Sequence, residues 1–100
     1  MIKKPFTIVG TREIYHELGE FEIKAVLKEG FEAILTESKF NVLDSSGKQL
    51  KTSQRIWGNK VKCMFLIDEN VSDGVAIANV SIVGKDNDVY SLTTYFWIIK

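Results

Sequence analysis

"VAIANVSIVGKDNDVYSLTTYFWII", Val75 to Ile99, is a pair of alternating apolar runs joined by a polar corner. The fold turns on how these two runs lie against each other. Successive side chains of a strand point to opposite faces, so the pairing register decides which residues share the core. If Gly84 faces Asp88 around a three-residue loop, Ile82 faces Tyr90, Val80 faces Leu92, Ala78 faces Thr94 and Ala76 faces Phe96. That set is a coherent apolar face. A slip of one residue sets Val80 against Thr93 and Ile82 against Ser91, which mixes hydroxyls into the core, so burial selects the first register. The opposite face then carries Asn79, Ser81, Ser91 and Thr93 near the corner. Farther along, it carries Ile77 opposite Tyr95 and Val75 opposite Trp97, with Ile99 beyond.

The corner itself holds Asp86, Asn87 and Asp88. Calcium takes six to eight oxygen ligands, more than these three residues supply alone, so a site there would need help from Glu29 or Glu32 in another loop at that end. The acidic turn Asp68 to Asp73 falls at the other end of an up-and-down arrangement. Asn and Asp tolerate the left-handed backbone that a tight hairpin needs. The corner therefore reads as a turn, with no metal and no cofactor expected.

Period two continues upstream. In "EFEIKAVLK", Phe21, Ile23, Ala25 and Leu27 alternate with Glu20, Glu22, Lys24 and Val26. "ESKFNVLD" repeats the pattern through Phe40 and Val42, and "DSSGK" supplies turn chemistry at Gly47. "KTSQRIW" is polar enough for an edge strand. "VKCMFLID" puts Val61, Cys63, Phe65 and Ile67 on one face. A short strand at Phe6 to Val9 brings the count to seven. The segment from Thr11 to Leu35 also contains an apolar stripe at helical spacing, Ile14, Leu18, Phe21 and Ala25, but Gly19 and Gly30 interrupt a helix, and the alternation from Phe21 to Leu27 favours a strand.

A chain of 100 residues with 45% hydrophobic content supports one core, so residues 1–100 are expected to form a single domain. Seven strands with turns every 8 to 12 residues suit an all-β, two-sheet antiparallel sandwich of immunoglobulin type. Ser72 to Ile99 resembles the closing hairpin of immunoglobulin-like modules in bacterial surface proteins and in tailed-bacteriophage capsid and tail proteins. There, an Asp/Gly turn leads into an alternating strand, a polar turn and a final strand ending in an aromatic residue. The chain departs from that pattern at Ala76, where such modules often carry Tyr. It also lacks the Cys, Trp, Cys arrangement of antibody domains. The resemblance implies a structural or protein-interaction module, with a virion component such as a capsid decoration, neck or baseplate element as its setting.

Thirteen basic and thirteen acidic residues cancel, which removes any global field toward nucleic acid or an anionic membrane. The lone Cys63 excludes an intrachain disulfide, and the start of the chain lacks the long apolar stretch of a signal peptide. The expectation is a chain held in the cytoplasm of the producing cell or in a virion, not in a membrane. Catalysis has little to draw on. His16 is the only histidine, and Cys63 alternates with core residues, where burial lowers thiol reactivity.

The strongest functional feature is the half-aromatic outer face of the last two strands. Val75, Ile77, Tyr95 and Trp97 form an apolar patch of the kind that marks protein-binding sites. Either a protein partner or a second copy docks there, or the chain's own N-terminal segment or the loop "EGFEAIL" folds over it. A second reading uses the basic run between Asp44 and Asp68. There Lys48, Lys51, Arg55 and Lys60, with Lys62 following and Trp57 among them, match a small OB-like barrel for single-stranded nucleic acid. Zero net charge and the protective role of lysines on edge strands count against it. A carbohydrate-binding sandwich, with aromatic rings stacked on sugars, is the third.

Overall fold

The computed structural model describes residues 5–100, which form eight strands and no helix. They are β1 (Phe6–Val9), β2 (Ile14–Tyr15), β3 (Gly19–Leu27), β4 (Ala33–Leu43), β5 (Thr52–Trp57), β6 (Lys60–Ile67), β7 (Gly74–Gly84) and β8 (Val89–Ile98). The first sheet has the order β1-β3-β6-β5 and the second β2-β8-β7-β4. Every pairing is antiparallel except β2 with β8, which is parallel. The strand at Phe21 to Leu27 is extended, as its alternation requires, and the helical stripe is not used.

Two details depart from the sequence reading. The count is eight rather than seven, because Ile14 and Tyr15 add a two-residue strand beside Trp97 and Ile98. "EGFEAIL" is only partly a loop: Ala33 to Leu35 already belong to β4, which pairs with β7 on both sides of an irregularity between Ile34 and Lys39. That irregularity hides the continuity of β4 from a strict period-two reading.

The hairpin register holds at each pair, including Ala76 with Phe96, Val80 with Leu92 and Ile82 with Tyr90. Its corner is built by turn chemistry. Gly84 donates its N–H to the Asp88 carbonyl at 2.9 Å, Asn87 sits at φ 69°, and the Asp86 carboxylate accepts the Tyr90 hydroxyl at 2.7 Å and the Asp88 N–H at 3.1 Å. A side chain at Gly84 has no room, since an added Cβ would lie 2.5 Å from Asp86 Oδ1.

Inward residues of both sheets form one core: Ile23, Ala25, Val61, Cys63, Phe65 and Ile67 from the first, Phe40, Val42, Ala76, Ala78, Val80, Ile82, Phe96 and Ile98 from the second. At one end, Tyr15 plugs the gap between the sheets. Its ring packs edge-on against Phe21, Phe65 and Phe96 at 4.8, 5.5 and 5.1 Å between centroids. Such geometry sets positive ring edges against negative faces. The short β2 exists because this ring buries itself and the Arg12 N–H reaches its hydroxyl at 3.0 Å.

Two polar devices close the sandwich. Asp44 is only 4% exposed, yet its carboxylate accepts from the N–H groups of Ser46, Lys48 and Ser72 and from the Ser46 hydroxyl. Burial alone would raise its pKa, but these hydrogen bonds outweigh burial and hold it at about 2, below the ordinary 3.8. One carboxylate thus ties the β4–β5 turn to the β6–β7 turn. On the open side, the Gln54 amide donates to the Ser38 carbonyl at 2.9 Å and accepts the Phe40 N–H at 3.2 Å. A side chain of β5 thereby takes the place of a strand along part of the β4 edge.

Candidate interaction surface

The outward face of the second sheet changes character along its length because the register sorts its residues into rows. Lys39, Ser81 and Ser91 form one row, and Asn41, Asn79 and Thr93 the next. These rows satisfy each other: Thr93 donates to Asn79 at 2.6 Å, the Ser81 and Ser91 hydroxyls meet at 3.1 Å, and Gln49 donates to Asn41 at 3.2 Å. Beyond them the rows turn apolar. Leu43, Ile77 and Tyr95 stand side by side, then Val75, Trp97 and Ile14.

The structure therefore gathers Val75, Ile77, Tyr95 and Trp97 on one surface. Tyr95 is 64% exposed and Trp97 46%, with Val75 exposed and Ile77 half-buried. Among the described residues, neither segment expected as a cover closes over them; residues 1–4 lie outside the described residues. The chain before β3 runs alongside Trp97 through Ile14, joined by the Trp97 N–H to the Glu13 carbonyl at 2.9 Å. Phe31 of "EGFEAIL" packs on Tyr90 at the other end of the sheet, 5.2 Å between ring centroids. A shallow dimple of about 220 Å³ lies among Glu13, Val75, Tyr95 and Trp97. Directly beneath is the Tyr15, Phe65 and Phe96 cluster, so the exposed rings stand on packed aromatic material. Ile14 and Leu43 extend the patch and escaped the sequence reading. Ile14 is placed by a parallel two-residue pairing that no local pattern announces, while Leu43 continues the alternation of β4 and was legible once β4 was aligned with β7.

The residues of the nucleic-acid reading divide. Arg55, Trp57 and Lys60 lie together on the outer face of the first sheet, where Arg55 is paired with Lys62 and Trp57 with Lys60. Lys51 is farther down the same face, its carbonyl accepting the Leu66 N–H. Lys48 belongs to the Asp44 turn at the opposite end from Trp57. The chain is a two-sheet sandwich, so the OB-like barrel that accompanied this reading is not its fold.

Groups able to do chemistry stay apart. Cys63 is fully buried, and burial pushes its thiol up to about 12. His16 sits on the rim, its Nδ1–H donating to the Ile99 carbonyl at 2.9 Å. Among the described residues, no three His, Cys, Asp or Glu side chains converge to hold a metal ion. No helix among them is long and apolar enough to cross a membrane.

Several solved structures share this fold, among them two that superpose over nearly the whole chain. CopC from Methylosinus trichosporium OB3b superposes with a TM-score of 0.64 at 13% identity, covering 94% of this chain and 93% of that one. The fold is an immunoglobulin-like β-sandwich. The Lin-41 filamin domain gives a TM-score of 0.60 at 15% identity, with 95% of this chain and 92% of that one covered. At such identities the likeness concerns the sandwich alone. Neither a protein-family model nor a curated protein matches the sequence.

Proposed function

We propose that this immunoglobulin-like sandwich is a non-enzymatic protein-interaction module that docks through Val75, Ile77, Tyr95 and Trp97. One observation carries the reading: two large aromatic side chains stand exposed on a sheet face, beside polar rows whose Ser81 with Ser91 and Asn79 with Thr93 are hydrogen-bonded to each other. Aromatic anchors on a firm base lose little conformational freedom on binding, which is why Tyr and Trp dominate binding hot spots. The setting we propose is a bacteriophage virion, as a capsid decoration, neck or baseplate element, with the chain cytoplasmic in the producing cell until assembly. This setting rests on the resemblance of Ser72 to Ile99 to modules of that kind.

The test compares wild type with Trp97→Ser for binding to the products of adjacent genes, and for self-association by light scattering. Wild type is expected to bind one of these proteins or itself, and the variant to lose roughly 30-fold or more, the size of a hot-spot truncation of about 2 kcal/mol. Its far-UV spectrum should be unchanged. Unfolding of the variant would assign Trp97 to the core and end the docking claim. Unchanged association would end it as well, and neighbours unrelated to capsid or tail would remove the virion setting.

A further inference from the structure

The outer face of the first sheet holds cations in an arrangement that a purely structural surface avoids. Register places Arg55 beside Lys62 and Lys62 beside Lys24, three cations in one row across three strands. In the next row, Lys60 stands between Trp57 and Val26. Neighbouring strands are about 4.8 Å apart, and like charges placed directly opposite destabilise a sheet. Lys24 has a counter-ion, Glu22, at 3.3 Å. Among the described residues, no ion pair includes Arg55, Lys60 or Lys62.

Protection of a sheet edge explains lysines on an edge strand, and so accounts for Lys51 and Arg55 near or on β5. It does not account for Lys60 and Lys62, which stand on β6 with β5 on one side and β3 on the other. An interior strand has no edge to guard. The aromatic neighbour adds a second observation. Trp57 is 61% exposed, and the Lys62 ammonium lies 4.8 Å from its ring centroid, a cation–π contact that keeps charge and ring side by side. Arg55, Trp57 and Lys62 line a groove of about 400 Å³ together with Ser53, Gln54, Met64 and, on β3, Glu22.

We infer that this face binds single-stranded nucleic acid, with phosphates held by Arg55, Lys60 and Lys62 and a base against Trp57. The cations answer to the phosphates, and the ring answers to a base, since stacking on an aromatic side chain is open to any base. Glu22 repels phosphate from the β3 side, which directs the strand along β5 and β6 rather than across the sheet. The trough continues in that direction. A second hollow of about 210 Å³ borders Lys51, Ser53 and Met64. Lys51 and Arg55 are four residues apart, about 13 Å in an extended strand, a span that suits a short polymer rather than one phosphate. An acidic peptide would satisfy the cations but leave Trp57 without a planar partner. With a net charge of zero, attraction is confined to this patch and acts within about a Debye length of it.

The experiment is fluorescence anisotropy of a labelled 12-nucleotide oligothymidylate with the full chain. Three phosphate contacts predict a slope of about −2 in log affinity against log salt, roughly a 20-fold loss between about 50 and 200 mM. Arg55→Gln with Lys62→Gln should weaken binding at low salt by at least about tenfold and flatten that slope, and Trp57→Leu should weaken it roughly tenfold. Because the double variant relieves repulsion, its melting temperature should not fall. Several results would overturn the inference: no binding by wild type, equal binding of polyglutamate, equal affinity for thymidine monophosphate, an unaffected double variant, or a double variant that melts lower.

Discussion

The two outward faces of the sandwich obey the same alternation and end up unlike. On the second sheet, polar rows are uncharged apart from Lys39, satisfy one another through side-chain hydrogen bonds, and give way to exposed aromatic rings. On the first sheet, Glu20 and Glu22 occupy one region, while Arg55, Lys60 and Lys62 crowd another with a single tryptophan among them. Period two explains why each residue points outward. It does not explain the company each residue keeps, which is set by the register between strands. One face has relieved its polar groups and left apolar area exposed; the other has left charge unrelieved. The first suits a partner with apolar surface, the second a partner that brings negative charge.

The sharpest way to break the contrast between exposed and core aromatics is to truncate neighbours on β8. Phe96 is 2% exposed and packs on Tyr15 and Phe65. Phe96→Ala removes a ring from the middle of that cluster and should cost about 3–5 kcal/mol in urea unfolding. Tyr95→Ala, one residue earlier on the outer face, should cost less than about 1 kcal/mol. Similar losses for the two would mean that the outer patch is part of the packed structure, and the claim that its rings are spare for a partner would fall.

Next in size is a change that should touch both faces equally. Asp44 links two turns from between the sheets, so it favours neither surface. Its folded-state pKa of about 2 lies below the ordinary 3.8. The contribution is therefore complete above about pH 4 and is lost as pH falls toward 2, because the unfolded chain takes up the proton first. The lost stability should be about 2 kcal/mol, read as the difference between urea midpoints at pH 5 and pH 2. Asp44→Asn should flatten that dependence while lowering stability at neutral pH. An unaltered pH dependence in the variant would assign the acid sensitivity to other carboxylates.

How much of this was legible follows from where the information lies. The β7–β8 register could be read because one short loop fixes it and a slip would bury Thr93 and Ser91. The direction of the outward aromatic rings followed at once. Cys63 could be placed inside by its alternation with Val61 and Phe65. By contrast, β2 is only two residues long, and its parallel pairing with β8 depends on Tyr15 filling a gap that only the assembled sandwich creates. Asp44 looked like an ordinary turn residue, since Ser72 reaches it from 28 positions away. The cation row was only partly hidden, since Arg55, Lys60 and Lys62 already belong to the basic run around Trp57. Lys24 lies far upstream of Arg55 and Lys62 and joins their row only through the β3–β6 register. Local spacing reports faces, and long-range register reports sites.

The smallest expected effect is also the one that separates the faces most cleanly. Lys62 stands between Arg55 and Lys24, so Lys62→Glu turns two like-charge neighbours into opposite-charge ones in a single step. Each cross-strand pair of this kind is worth about 0.2–1 kcal/mol, and partial exposure with salt screening keeps the gain toward the lower end. The variant should therefore be more stable than wild type by a few tenths of a kcal/mol to about 1 kcal/mol, with the gain shrinking as salt is added. A charge placed at Thr93 on the other sheet, by Thr93→Glu, has no cation opposite it and loses the hydrogen bond to Asn79. It should be neutral or destabilising. If Lys62→Glu is destabilising at low salt, the cations are already accommodated within the fold, through Glu22 or the Trp57 ring, and the first sheet has no unrelieved charge to offer a ligand.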